Sequence, residues 1–296
     1  MSWEKITEQQ NSASAEIDEK SIHEILTIIN NEDGGVATAV QNSLADIAEF
    51  LDVLVPRLQT GGRLFYVGSG TSGRLGVLDA VECQPTFSVD PELVQGIIAG
   101  EKDALVRSIE GAEDNPADGT QAVLNYGITN KDTILGITAS SSTPFVLGAL
   151  EKAKKIGAIT GLLICNNPPE LEYVDQLISI IVGPEVITGS TRMKAGTATK
   201  MVLNMITTTA MVKLNKTYGN LMVDLKASNQ KLWDRGTRII EHITDLNYNE
   251  ALKLLQFANG EVKIALVMEK LKLGVGDARE KLINQNGSLK DVFSGF

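Results

Sequence analysis

The chemistry available to this chain lies in a few carboxylates and in three turns rich in glycine and hydroxyl groups. Its two histidines, His23 and His242, both fall in segments that read as helical, where surface or packing roles are usual. A histidine-ligated metal and a Ser-His-Asp triad are therefore disfavoured, and acid–base work falls to carboxylates. Glu82 sits in Ala80-Val81-Glu82-Cys83, at the end of a helical stretch that Pro85 is expected to close. Apolar surroundings there would favour its neutral form and suit it to general-acid work; viewed alone, it is a helix-end charge. Glu113 and Asp114 occupy Glu110-Gly111-Ala112-Glu113-Asp114-Asn115-Pro116. Loops of this kind at the rim of a sheet often carry chemistry, although an acidic turn before a proline is also ordinary.

The first turn is Gly68-Ser69-Gly70-Thr71-Ser72-Gly73, between a strand-like run and a helical one. Its glycines permit close backbone approach to a ligand, the helix start offers free N–H groups to an anion, and Ser69, Thr71 and Ser72 add hydroxyl donors. The string also fits the dinucleotide fingerprint, and Asp90 lies 90 − 70 = 20 positions beyond Gly70. Asp90, however, precedes the next strand-like run, whereas a ribose-binding acid should end its strand. A sugar-phosphate loop is the better reading. The second turn, Ala139-Ser140-Ser141-Ser142-Thr143-Pro144, again joins strand to helix, with Pro144 suited to the first helical turn. Read blandly it is a helix cap. The third, Gly183 to Lys200, brings Glu185, Ser190, Arg192 and Lys194 together in a plausible clamp for an anionic, polyhydroxylated ligand.

These turns must be positioned by something regular. Arg63 to Val67, Leu93 to Ala99, Thr133 to Thr138, Ala158 to Cys165 and Leu177 to Val182 are short apolar runs that read as buried strands. Between them, Ser72 to Pro85, Ala104 to Gly111 and Phe145 to Lys155 read as helices. Strands alternating with helices predict an α/β fold with a mostly parallel sheet covered on both faces, whose ligands bind beyond the carboxyl ends of the strands. Ile17 to about Arg57 reads as a helical arm interrupted at Gly34-Gly35, either covering the sheet or reaching a partner subunit. Beyond about Leu225, Ala251 to Phe257, Glu261 to Leu271 and Gly276 to Asn284 read as a small helical domain. Geometry raises one difficulty. If the helix from Ser72 to Glu82 is continuous, Glu82 lies about 15 Å from the glycine turn. It then serves that site only if the helix breaks, the ligand lies along it, or a neighbouring subunit completes the pocket.

The bulk numbers exclude several classes. With 27 basic and 37 acidic residues the formal charge is 27 − 37 = −10, which argues against nucleic acid and anionic membranes as partners. Cys83 and Cys165 cannot form a disulfide framework and suit a reducing compartment. The polar start of the chain has no signal-peptide core, and no apolar run approaches the roughly 18 residues of a membrane span. The expected location is cytoplasmic.

With these residues assembled, the chain resembles the N-acetylmuramic acid 6-phosphate etherases, relatives of the glucokinase regulatory protein. Gly183 to Lys200 matches that group's signature throughout. Gly68 to Asp79, Glu82-Cys83, Pro85-Thr86, Glu110 to Asp114 and Asn220 to Asp224 also fit, as do Thr7-Glu8, Asn11 and Ser14 to Asp18. The resemblance implies a sugar-isomerase (SIS) domain over 51–225, an N-terminal helical arm over 1–50 and a UBA-like helical domain over 226–296. It implies cleavage of the D-lactyl ether of N-acetylmuramic acid 6-phosphate by elimination of lactate and addition of water, with no metal or redox cofactor, in a homodimer. By the same analogy, Glu82 assists lactate departure and then activates water, and Glu113 is the second carboxylate, with Asp114 in reserve. Ser69, Gly70, Thr71, Ser72, Ser140, Ser141, Ser142, Thr143, Glu185, Ser190, Arg192 and Lys194 are implied to hold the substrate. One departure stands out: where the family usually reads Ala-Ser-Gly-Arg-Thr-Pro, this chain has Ala139-Ser140-Ser141-Ser142-Thr143-Pro144, which removes a glycine and a cation. Gln84 in place of the usual proline is milder. The rival readings are a non-catalytic SIS module that binds a sugar phosphate and regulates a partner, and, more distantly, a nicotinamide oxidoreductase.

Overall fold

Five apolar, β-branched segments pair side by side because each can bury both faces. They are β1 (Leu64–Gly68), β2 (Val94–Ile98), β3 (Thr133–Ile137), β4 (Ile159–Ile164) and β5 (Gln176–Ser179). In the computed structural model, which describes residues 5–294, these form one parallel sheet in the order β2-β1-β3-β4-β5. Every residue of β1 and of β3 is buried, and Phe65, Leu64, Ile134 and Leu135 are fully enclosed. The strand order reverses at β1: β2 lies on one side of it and β3 on the other. In sheets of this kind ligands bind beyond the carboxyl ends of the two strands at the reversal, here β1 and β3.

The chain divides into two compact units, Met1–Val81 with Pro91–Thr207, and Glu82–Asp90 with Thr208–Phe296. The first holds the sheet, the helices α1 (Ile22–Gly34), α2 (Val36–Gln41) and α3 (Leu44–Gln59), and the two sheet helices α5 (Pro116–Asn125) and α6 (Pro144–Ile156). A Ser21–Glu24 capping box starts α1, yet none of its side chains is buried, and Ile22 and Leu26 are 80% and 60% exposed. Two helices run from the first unit into the second: α4 (Gly70–Phe87) and α7 (Lys194–Lys213).

Helices α5 and α6 cross at two glycines. A Cβ on Gly119 would fall 1.9 Å from the Phe145 carbonyl oxygen, and one on Gly148 would fall 2.2 Å from that of Pro116. Only bare backbone fits this crossing. Where Ala104 to Gly111 was expected to be helical, the chain makes a short 3-10 turn, Glu101–Leu105, and then an open loop. The apolar spacing there finds no surface to pack on, and Leu105, Val106 and Ile109 stay exposed. Helix α4 also differs from expectation, passing through Pro85 before ending at Phe87. The proline lies in the last turn, so its missing N–H and ring shorten the helix by no more than that turn.

The second unit is helical: α8 (Gln230–Ile243), α9 (Tyr248–Phe257), α10 (Val262–Leu271), α11 (Val275–Asn284) and α12 (Leu289–Ser294) around a core that includes Ile240, Leu255, Val262, Leu266 and Ala278. Three of these helices were legible in the sequence. The polar run Gln230 to Ile243, with Gly236 within it, hid α8, and α12 is short. Lys263 is buried here, where it donates to the Asn215 and Gly287 carbonyls and to Asp224. Burial pulls its ammonium below the ordinary lysine range, and Asp224 partly opposes that. Both cysteines are buried and neither is in a disulfide, and burial together with the Glu185 charge pushes the Cys165 thiol up to about 12.

Candidate active site

Three connections leave the carboxyl ends of the sheet strands. At the first, β1 ends at Gly68, Ser69 alone makes the link, and α4 begins at Gly70. The turn is thus tighter than the sequence suggested, and Thr71 and Ser72 already belong to the first helical turn, partly buried. Two of its glycines serve packing rather than ligand approach. A Cβ on Gly68 would meet the Gly73 amide nitrogen at 2.6 Å, and one on Gly73 would meet the Ile98 side chain at 2.6 Å. Gly70, with φ +50° and open space around it, is the position that bends the chain toward solvent.

Glu113 reaches this turn. Ser69 Oγ donates to Glu113 Oε2 at 2.7 Å, and the Glu113 carbonyl accepts the Phe145 amide at 3.0 Å. One residue therefore touches both the glycine turn after β1 and the start of α6 after β3. The α5–α6 crossing supplies the reason. Asn115 caps α5 by accepting the Ala117 amide at 3.0 Å, so Glu113 is held two residues ahead of a fixed helix start. Asp114 is exposed, with its amide on the Gly111 carbonyl at 3.1 Å. Of the two, Glu113 is the one whose side chain bonds to the glycine turn.

The second connection, Ala139 to Thr143, is a linked run of hydroxyls. Thr138 shares bonds with Ser140 at 3.4 Å and with Thr143 at 2.8 Å, and Ser140 shares one with Ser142 at 3.3 Å. Ser141 holds a positive φ of +62°, an uncommon conformation for a residue with a Cβ, and its hydroxyl donates to the Ser140 carbonyl at 2.5 Å. Ser142 is exposed and the rest of the run is partly buried.

The third connection differs from the expected clamp. Glu185 is fully buried, and its two oxygens accept the Lys194 and Ala195 amides at 2.9 and 3.0 Å. It satisfies the start of α7, as a capping carboxylate does. Burial raises its carboxyl above the ordinary range despite those two amides, and the nearby Asp33 charge adds to the rise. Lys194, 4% exposed, donates to Glu32 at 2.6 Å. That hydrogen bond, against the cost of burial and with help from Asn11, holds the Glu32 carboxyl below its ordinary value. Glu185 and Lys194 thus position the loop from inside. Arg192 is exposed and Ser190 partly buried, so these two remain as groups that face outward. Thr71 lies against the start of α7: its Cγ2 would be 3.5 Å from a Cβ on Gly196.

Glu82 is exposed, in place of the apolar setting expected for it. Helix α4 is unbroken from Gly70 to Phe87, so a helix break does not bring Glu82 to the turn, and it stays about 15 Å along the axis from Ser72.

Sequence reading missed the N-terminal segment as part of this site. Ser14 Oγ donates to the Val186 carbonyl at 2.7 Å, Asn11 Nδ2 to the Pro184 carbonyl at 3.1 Å, and the Gly189 amide to the Thr7 carbonyl at 3.1 Å. The Ile6 amide donates to Asn166 Oδ1, beyond β4, at 3.2 Å. Residues 6–14 are thus laid on the third loop of their own chain. Buried Asp79 was missed as well. It accepts from Tyr66 of β1 at 3.0 Å and from Thr207 of α7 at 3.3 Å, and burial raises its carboxyl above the ordinary range.

Residues 46–154 match the family described as the glucokinase regulatory protein N-terminal SIS domain. The chain is 50% identical over 291 residues to the N-acetylmuramic acid 6-phosphate etherase of Salinibacter ruber, spanning 98% of this chain and 94% of that one. It is 51% identical over 280 residues to the etherase of Clostridium acetobutylicum, spanning 94% and 92%. A solved structure from Bacteroides fragilis, described as a phosphosugar isomerase involved in capsule formation, superposes with a TM-score of 0.50 at 16% identity. It covers 65% of this chain and 91% of its own, and shares the fold.

Proposed function

The chain belongs to the N-acetylmuramic acid 6-phosphate etherases, and on that premise we propose that Glu113 and Glu82 carry its chemistry beyond the carboxyl ends of β1 and β3, in a homodimer. The reaction is that of a carbon–oxygen lyase. It cleaves the D-lactyl ether of N-acetylmuramic acid 6-phosphate and yields N-acetylglucosamine 6-phosphate and D-lactate.

The observation that carries the site assignment is the Ser69–Glu113 hydrogen bond, which sets a carboxylate on the glycine turn. In the open-chain sugar the aldehyde acidifies the C2 hydrogen. Glu113 takes that proton, the C3–O bond breaks, and the pair from the C2–H bond becomes the new double bond. The departing lactyl oxygen takes a proton from Glu82. The same carboxylate, now ionised, removes a proton from water as it adds to C3, and C2 regains a proton. The aldehyde oxygen and phosphate lie along the hydroxyls of Ser69, Thr71 and Ser72 and of Ser140 to Thr143, with Gly70 giving access, while Ser190 and Arg192 meet the outer face of the sugar.

Glu82 reaches the site from a second copy of the chain. Two features favour this arrangement: Glu82 is exposed and distant along α4, and α1 leaves Ile22 and Leu26 exposed in its own chain. Isologous pairing would give each copy both a donor and an acceptor site. Among the described residues no helix is long and apolar enough to cross a membrane, and a sugar phosphate, which does not cross bilayers unaided, would be met in the cytoplasm.

Lactate release from N-acetylmuramic acid 6-phosphate in ¹⁸O-labelled water tests the reading. Label at C3 of the sugar product is the expected result. Unlabelled product, or saturable binding with no lactate, would replace it with another route or with a regulatory SIS protein.

A further inference from the structure

The hydroxyl turn Ala139 to Pro144 contains no cation of its own, in a chain whose formal charge is −10. Hydroxyls alone are weak partners for a phosphate dianion, which is held best by charge-assisted bonds. The fold brings a cation to this turn from the other end of the sequence. Lys5 Nζ donates to Ser142 Oγ at 2.5 Å, across 137 residues.

This lysine is not a loosely hung surface charge. The next residue is pinned through its amide to Asn166, itself 2% exposed, and Thr7, fully buried, gives its carbonyl to Gly189. Lys5 therefore extends from a strap tied at β4 and at the third loop, and its ammonium ends on the second loop. The hydrogen-bond arithmetic favours a third participant. Ser142 accepts from Lys5 and shares a longer bond with Ser140, and the ammonium has further protons to give. Ser142 is exposed and Lys5 partly so, which leaves both reachable from solvent.

We propose that Lys5 is a specificity-determining residue that binds the substrate phosphate together with Ser142, supplying from the N-terminal strap the positive charge that the hydroxyl turn lacks. This rests on placing the sugar phosphate at the hydroxyl turn, as above. The strap then links occupancy of the phosphate site to the order of the third loop, since both ends are held by the same few residues.

Calorimetric binding of N-acetylglucosamine 6-phosphate, with N-acetylglucosamine as a competitor at high concentration, tests this without requiring turnover. Lys5→Gln should weaken the phosphorylated sugar by about tenfold or more and leave the unphosphorylated sugar unchanged. Lys5→Arg should recover most of the loss. In turnover, KM should rise by the same factor while kcat stays within about threefold. Unchanged affinity for the sugar phosphate would overturn the proposal. Equal losses for both sugars, accompanied by a lower Tm, would also overturn it and leave Lys5 a structural tie. Lactate release by the wild-type chain tests the reaction separately: a chain without etherase activity whose Lys5→Gln variant still loses the phosphorylated sugar keeps the phosphate contact and loses the assigned chemistry.

Discussion

At the residue scale, the two carboxylates are distinguished by what surrounds them. Glu113 is fixed by Ser69 and by the backbone bond to Phe145, so Glu113→Gln keeps the shape of the turn and removes only the base. Lactate release should fall by about 10²–10⁴-fold, with exchange of the C2 hydrogen into solvent lost in parallel. Persistent C2 exchange in that variant would assign the base elsewhere. A second residue-scale prediction concerns Asp132, which immediately precedes β3, is 2% exposed and takes bonds from Arg63 and from the Thr129 amide and hydroxyl. Burial works to raise its carboxyl, but Arg63 and Thr129 outweigh it and hold the group below 3.8. A carboxyl lowered in the folded state stabilises above its unfolded pKa, and the benefit disappears as pH falls through the folded value. Asp132→Asn should cost about 2–3 kcal/mol at neutral pH, and thermal melts should show the gap to wild type closing as pH drops below 3.8. A gap that is constant with pH would mean that packing, not charge, is what the substitution removes. Glu113 was visible in the sequence because an acid in a rim loop is a local pattern. Lys5 was not, because nothing local ties it to a serine so far along the chain.

At the scale of elements, Glu113 is only as well placed as the crossing of α5 and α6. Gly148→Ala would drive a methyl into the Pro116 carbonyl, and side chains elsewhere cannot yield to relieve a backbone clash. The expected cost is about 1–3 kcal/mol, read as a lower Tm, with kcat falling more than KM rises because Glu113 moves with the start of α5. If activity per folded molecule is unchanged, the crossing is structural alone. The strands and their order of appearance were readable because buried parallel strands are short, apolar and β-branched. Helix α5 was not, since its apolar residues are few and the Asn115-Pro116 start was weighed only as a loop. The stretch from Ala104 shows the converse: helical spacing is necessary for a packed helix, but a surface must be there to receive it. The glycine turn was legible as a strand-to-helix link, whereas the packing work of Gly68 and Gly73 depends on Ile98 and on the backbone they meet.

At the scale of the whole molecule, the proposal that Glu82 completes the site of a second copy can be tested by mixing variants. Glu82→Gln and Glu113→Gln variants, each inactive alone, should regain about a quarter of wild-type activity when unfolded and refolded together, since half the dimers are mixed and each mixed dimer has one intact site. No recovery would place both carboxylates in one chain. Replacing Ile22 and Leu26 by serine should shift the sedimentation of the protein toward monomer and lower activity with it; an unchanged dimer would mean that α1 is not the contact. The two enclosed cysteines have a practical consequence. With Cys165 held at about 12 and Cys83 buried, the folded protein should be inert to maleimides at neutral pH. A cysteine put at exposed Ala13 would then be the one label the molecule accepts, and a fluorophore there would report the lifting of the strap with no native thiol removed.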